Sequence, residues 1–469
     1  MPREPMRHVV VLLPGILGSA LQRNGKDVWA VSGSAAVSAL LSLGGNVNDL
    51  TLAADPPDVD DPGDGVVANR LLSDVHLIPF VWKIDGYTKV ADYIKATFEV
   101  TPGRNYFEFP YDWRRDNRVA ARRLAKQARG WLQSWRALSG AQDAKLILVA
   151  HSMGGLVSRY FLEVLDGWRD TKLLLTFGTP YRGSLNALRT LVEGARKGPF
   201  GIVDLSDFVR SLTAIYQLLP TYACWDDGNR KLQRVGEASG IPNVDAARAA
   251  AALAFHSEIL AAVDAHEQGD EYERDRYRIV PVVGIEQATL QSARLAGGTV
   301  EFLETYKGRP MQGDGTVPRV SATPVELSDS GGEMFAATAH ASLQNADPVL
   351  VQVHGALSTL DLALGTFRRT AEPAQPVKLS LTLQDAYWRD EPIVVRVRPS
   401  HPGAPPLTAA VETATGERVT SATLVPRADE SRTTEFAPLA EGVYRVVVDG
   451  GPTVESIADV FTVFPRVRP

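Results

Sequence analysis

The sequence predicts an α/β chain built on a parallel sheet, followed by a smaller all-β unit. Three observations carry this. Runs that read as strands recur at His8–Leu13, Tyr106–Phe109, Leu146–Val149, Lys172–Phe177 and Tyr277–Gly284, the third apolar enough to be buried on both faces. Segments of helical spacing lie between them. Beyond Ala371-Glu-Pro-Ala-Gln-Pro376 the hydrophobic period drops to two.

The third run organises the rest. Leu146–Val149 leads into the sharp turn Ala150-His-Ser-Met-Gly154. Gly155–Glu163 then has helical spacing, with Val157, Phe161 and Val164 on one side. Strand, tight turn bearing a serine, and helix make a nucleophile elbow, which holds Ser152 in a strained backbone with its hydroxyl clear of the sheet. Strand and helix pass in contact there, so only small residues fit two before and two after the serine. Ala150 and Gly154 hold those places, alanine standing where glycine is usual. The amide of Met153 opens the helix and would face an oxyanion. The expected architecture is the α/β-hydrolase fold; the bland reading is a serine that merely caps a helix.

Composition narrows the classes. The chain has 469 residues, which suggests two domains, and 45% hydrophobic with 22% charged residues, as in ordinary globular proteins. A net charge of −6 and no basic run interleaved with aromatics leave nucleic-acid binding without electrostatic support. Cys224 is the one cysteine, so no internal disulfide is available. Arg3, Arg7 and the apolar Val9–Leu13 imitate a secretory leader, but Pro14-Gly15 interrupts the run after five residues. No stretch has about 18 uninterrupted apolar residues. The cytoplasm is the expected location.

In chain order, His8–Leu13 breaks into the turn Leu13-Pro-Gly-Ile-Leu-Gly-Ser19. In this architecture that turn supplies a second oxyanion donor, here the amide of Ile16. Trp29–Leu43 reads as a short helix and Asn46–Asp64 as an exposed loop. A helix begins near Asp85. Pro110-Tyr-Asp-Trp-Arg-Arg115 reads as scaffolding beside the site, with Asp112 able to pair with Arg114. Arg118–Trp135 is a basic amphipathic helix covering the sheet. Between Leu185 and about Arg276 the pattern is helical without a clear strand, the place for a cap over the site.

The remaining candidates follow the elbow. Asp314, between two glycines in Gln312-Gly-Asp-Gly-Thr-Val-Pro318, stands just beyond a strand, poised to fix the tautomer of a histidine. Three histidines come later. His401 falls in the all-β part, and His354 inside a helix over Pro348–Leu364 capped by Asp347. His340 lies in the loop before that helix, where this fold carries its base. His151 is a poor base, because the elbow turns adjacent side chains apart.

Together these pieces resemble the lecithin:cholesterol acyltransferase family, over about residues 8–365. The matching stretches are Leu13-Pro-Gly-Ile-Leu-Gly-Ser19, Pro110-Tyr-Asp-Trp-Arg114, Ala150-His-Ser-Met-Gly-Gly155, Phe177-Gly-Thr-Pro180, Gly313-Asp-Gly-Thr-Val317 and the His340 loop. By that resemblance Ser152, Asp314 and His340 match the triad, and Ile16 and Met153 the oxyanion amides. The disulfide-closed lid of animal members does not carry over to a chain with one cysteine.

The alternating runs Val377–Leu383, Ile393–Arg398, Gly442–Val448 and Ala458–Phe464 read as a sandwich of roughly seven strands. Their Gly-x-Tyr-x-Val pattern resembles bacterial immunoglobulin-like domains. The expected division is a catalytic domain over 1–370 with its cap at about 185–276, a linker over 371–376, and the sandwich over 377–469. The expected function is a serine acyl-ester enzyme, either lipase/esterase or lipid O-acyltransferase, acting without a cofactor or metal. Its partners would be a lipid or ester substrate, a peripheral lipid surface and an unspecified protein for the sandwich. The rival is a binding or scaffold protein that keeps the hydrolase fold, the sandwich being its working part; peptidase chemistry on the same residues is a third.

Overall fold

The computed structural model describes residues 2–30, 50–73, 76–78, 82–197, 203–229, 231–327, 332–360, 377–401 and 403–465. The helix expected over 29–43 and the linker over 371–376 therefore fall almost wholly outside the described residues.

Six strands form the central sheet: β1 (Val9–Leu13), β2 (Tyr106–Glu108), β3 (Leu146–His151), β4 (Thr171–Phe177), β5 (Arg278–Gly284) and β6 (Met334–Ala336). Their order is β6-β5-β4-β3-β1-β2, and every pair is parallel. Alternation explains why the strands read as unbroken apolar runs. Val9, Val11 and Leu13 of β1 enter one core with Leu146 and Leu148 of β3, while Val10, Leu12, Ile147 and Val149 enter a second core on the other face. Helices cover both faces, so the inner strands β1 and β3 are buried throughout, while the edge strands β2 and β6 each keep one exposed residue.

On the first face lie α2 (Asn117–Ser139) and α3 (Met153–Arg159). Asp116 caps α2 by accepting the amide of Arg118 at 2.8 Å, and Gly140 ends it in the left-handed conformation. Ala121, Leu124, Ala128 and Leu132 make its buried stripe. On the second face α1 (Thr88–Thr97) packs against α6 (Asp347–Ser358). Here one expectation fails. Asp347 is the first helical residue rather than the cap, makes no capping bond, and pairs with Lys89 at 2.7 Å. Pro348 follows it in the first turn, where a missing N–H costs nothing.

Between β4 and β5 the chain leaves the sheet, as expected. It carries α4 (Leu185–Glu193) and α5 (Ala246–His266), capped by Ser184 and Asp245. The expectation of no strand here is corrected: Trp225–Asp226 and Leu232–Gln233 pair with each other, and Trp225–Asp226 also pairs with Ser292–Ala296 from beyond β5. Two-residue strands are too short to show a period. By length and composition α5 could cross a membrane, yet Phe255, Ile259 and Val263 are packed into the protein. The loop 50–64, expected to be exposed, is pinned from below. Asp55 meets Arg115 at 2.8 Å with both side chains buried, and Asp64 meets Arg114 at 2.8 Å.

Residues 377–465 hold nine strands rather than about seven: β7 (Leu379–Thr382), β8 (Ala386–Trp388), β9 (Ile393–Pro399), β10 (Thr408–Thr413), β11 (Arg418–Thr423), β12 (Val425–Pro426), β13 (Arg432–Phe436), β14 (Gly442–Asp449) and β15 (Ile457–Phe464). They make two sheets, β7-β9-β13-β12 and β8-β15-β14-β10-β11. Leu379, Val395, Val397, Val411, Val446, Val448 and Phe461 from both sheets share one buried core. The inward residues of β9 alternate with exposed ones, the period of two seen in the sequence.

Candidate active site

Ser152 is the hinge between β3 and α3. Its backbone sits at φ 50° and ψ −123°, far from the wells open to a side-chain-bearing residue. Two close approaches force the bend. A Cβ on Gly154 would stand 2.4 Å from the carbonyl oxygen of Pro14, and one on Gly155 would stand 2.1 Å from Oγ1 of Thr179. Thr179 in turn donates its hydroxyl to the carbonyl of Ser152 at 2.9 Å. The serine amide is bonded to Phe177 at the end of β4.

Asp314 lies in the turn beyond β5. A Cβ on Gly284, the last residue of that strand, would come 2.2 Å from the Cβ of Asp314, so only glycine admits the aspartate. One of its carboxylate oxygens accepts the amides of Thr316 at 2.9 Å and Val317 at 2.6 Å. The other faces Nδ1 of His340 at 2.7 Å. His340 opens a short 3-10 helix, His340–Asn345, just after β6, and its own amide is bonded to the carbonyl of Asp314 at 2.8 Å. Its Nε2 lies 2.9 Å from Oγ of Ser152. Gly178 makes room for the ring: a Cβ there would meet Asp314 Oδ2 at 2.7 Å and His340 Nδ1 at 2.9 Å. The structure thus brings together the three side chains singled out in the sequence, all buried.

The two expected amides border the serine. Met153 is the first residue of α3, where an N–H has no carbonyl partner within the helix. Ile16 follows Gly15, whose backbone lies so close that a Cβ would stand 2.9 Å from that of Ser152. The Pro14–Ser19 turn is held by residues from the Tyr111 stretch. Tyr111 donates its hydroxyl to Pro14 O at 2.8 Å, and Trp113 its ring N–H to Ser19 O at 3.1 Å. Asp112 pairs with the buried Arg114 at 2.6 Å, as expected of scaffolding.

Sequence reasoning missed Tyr87. Its hydroxyl accepts the amide of Gly15 at 2.7 Å and lies 3.1 Å from Nδ1 of His151. The other nitrogen of His151 donates to the carbonyl of His340 at 3.1 Å. Burial and the neighbouring imidazole of His340 push the pKa of His151 well below its ordinary value, against its bond to that carbonyl. His151 therefore stays neutral and ties the oxyanion turn to the histidine loop. No local signal marks Tyr87, whose role depends on residues 64 positions away. Of the other histidines, His354 bonds Glu4 at 2.6 Å and packs edge-on to Phe98. Among the described residues, no group of His, Cys, Asp and Glu could hold a metal ion.

With a carboxylate on Nδ1 and a hydroxyl on Nε2, the neutral imidazole carries its proton on Nδ1 and offers Nε2 as the acceptor. A parallel sheet with helices on both faces and a serine at a strained strand-to-helix turn defines an α/β-hydrolase fold.

Residues 54–239 match the model of the family "Lecithin:cholesterol acyltransferase". The matched segment contains the elbow and Tyr111–Arg114; Asp314 and His340 lie beyond it. Human "Lysosomal phospholipase A and acyltransferase" is 31% identical over 131 residues, which are 27% of this chain and 31% of that protein. The chain thus spans about a third of the length of that curated relative. Among solved structures, a mature lipase of Bacillus licheniformis aligns with 76% of this chain and 96% of its own at 12% identity, TM-score 0.31. A phospholipase of Legionella pneumophila aligns with 98% of this chain and 92% of its own at 8% identity, TM-score 0.26. Likenesses so loose carry no argument, and the fold stands on the sheet described above.

Proposed function

We propose that the chain is a serine-dependent enzyme of lipid acyl esters. The observation that carries the reading is the line from Asp314 to His340 to Ser152, with contacts of 2.7 and 2.9 Å at a strained elbow. Family likeness supports the substrate class. Oγ of Ser152 attacks the ester carbonyl carbon while its proton passes to Nε2 of His340, whose imidazolium is stabilised by Asp314. The amides of Ile16 and Met153 receive the oxyanion, each such donor contributing around 3 kcal/mol in comparable sites. As the tetrahedral species collapses, the leaving alkoxide takes the proton from His340 and departs as alcohol. The acyl group stays on Ser152 until water or another alcohol, deprotonated by His340, removes it.

We read residues 377–469 as an immunoglobulin-like sandwich joined to a catalytic domain over 1–370. Supporting this, the hydroxyl of Tyr444 donates to the carbonyl of Ala440 at 2.9 Å, a corner contact typical of such sandwiches.

The test is labelling with a fluorophosphonate, which reacts only with an activated serine. Wild-type protein is expected to label and Ser152→Ala not to. Folded wild-type protein that stays unlabelled would overturn the reading.

A further inference from the structure

The two loops that carry Asp314 and His340 are gripped from outside the sheet that presents them. Asp85, just before α1, has a buried side chain. Its amide donates to the carbonyl of Ala341 at 3.0 Å, and its carbonyl accepts the side-chain amide of Asn345 at 2.8 Å. Gln344 adds a bond to the carbonyl of Gly86 at 2.9 Å. The 3-10 turn that begins with His340 is thus stitched to Asp85 and Gly86. The carboxylate of Asp85 is met by the guanidinium of Arg445, which comes from β14. Beside that ion pair, Val443 of β14 and Val460 of β15 close over Ala341, the residue after His340.

The aspartate loop is held in a similar way. Gln287 and Gly313, the residue before Asp314, exchange both backbone hydrogen bonds, at 3.1 and 3.2 Å. The buried side-chain amide of Gln287 then imitates a strand toward β7. Its NH2 donates to the carbonyl of Leu379 at 3.3 Å, and its oxygen accepts the amide of Leu381 at 3.1 Å. A cavity of about 230 Å³ runs along this seam, lined by Asp314 and His340 on one side and by Leu381, Asp385 and Asp459 on the other.

Resting on the proposed reading of Ser152, we propose that the C-terminal unit positions the acid and base of that site, with Arg445 and Gln287 as positioning residues. Arg445 fixes the turn of His340 through Asp85, and the edge of β7 fixes the turn of Asp314 through Gln287. Arg445 contacts neither the serine nor the imidazole, so its effect falls on geometry. An ion pair this enclosed resists shearing, because parting it would strand a carboxylate away from water.

The experiment compares full-length wild type, Arg445→Met, Arg445→Lys and Gln287→Met by three measurements. These are p-nitrophenyl ester kinetics, far-UV circular dichroism, and the downfield proton resonance of the Asp314–His340 hydrogen bond, assigned by its loss in His340→Gln. Arg445→Met is expected to keep its secondary structure and KM while kcat falls roughly tenfold to a hundredfold, the cost of a base displaced by about 1 Å. Its downfield resonance moves, and Arg445→Lys recovers most of both. Gln287→Met leaves the ion pair intact and carries the same expectation, so it decides the matter if Arg445→Met does not fold. A folded variant with wild-type kcat and an unmoved resonance overturns the proposal. Should wild type neither label nor turn over, the acyl-ester reading falls, and the resonance alone still decides the positioning role.

Discussion

Ser152 holds a backbone conformation at φ 50° that costs about 1–3 kcal/mol for a residue with a side chain. Glycine adopts it freely, so Ser152→Gly is expected to abolish turnover while raising stability by about 1 kcal/mol. A melting temperature below wild type would remove strain from the account of the elbow. His256 on α5 makes a second residue-scale prediction. It is buried and donates to the carbonyl of Gln217 at 2.8 Å. Burial lowers its pKa to about 4, the bond to Gln217 opposes that, and Arg118 adds to it. The folded pKa lies below the unfolded value of about 6.5, so this stability is complete above that pH and drains away as pH falls toward 4. By pH 5 the loss is about 2 kcal/mol. Urea midpoints at pH 7 and pH 5 should show it, with a smaller drop in His256→Gln, which keeps a donor for Gln217. Equal drops would show that His256 is not the cause. At this scale the sequence was informative where chemistry needs a local pattern. Ser152 and Asp314 sit among small residues in turns, and His340 follows them in order. Tyr87, Gln287 and Asp85 sit in no such pattern, because their partners are brought to them only by the fold.

The elbow tests the element scale. A methyl at Gly154 would strike the backbone oxygen of Pro14, which cannot swing away as a flexible side chain would. Gly154→Ala is therefore expected to cost at least about 1–3 kcal/mol, through displacement of the turn bearing Ile16. Its urea midpoint should fall, with the residual ester activity reduced further than stability alone explains. An unchanged midpoint would refute the close approach. Strands buried on both faces were legible as apolar runs because β1, β3, β4 and β5 have five to seven residues each. The three-residue edge strand β6 and the two-residue strands of the insertion escaped notice for the opposite reason. The first turn of α6 misled because aspartate before proline reads as a cap, whereas the chain enters the helix one residue earlier.

At the scale of the whole molecule the sequence separated an α/β portion from a period-two portion, and the buried residues of 377–465 gather largely in a core of their own. It could not say where the second portion docks. Arg445 and Leu381 look like ordinary strand residues until β14 and β7 are set against the loops of His340 and Asp314. If lipid esters are the substrates, turnover of p-nitrophenyl esters should rise with acyl length from acetate toward longer chains. Activity confined to acetate would exclude a lipid acyl pocket. Adding a long-chain alcohol should then divert acyl groups from water, and hydrolysis that never falls as acceptor rises would exclude transfer.

His340, whose ring meets the hydroxyl of Ser152, lies 188 residues downstream of it, and Arg445 comes later still. A chain emerging from the ribosome therefore makes Ser152 well before the histidine it meets. On the proposed reading, Ser152 stays an alcohol of ordinary reactivity until residue 340 has been made and folded beside it, and the base gains its full alignment only after Arg445 follows.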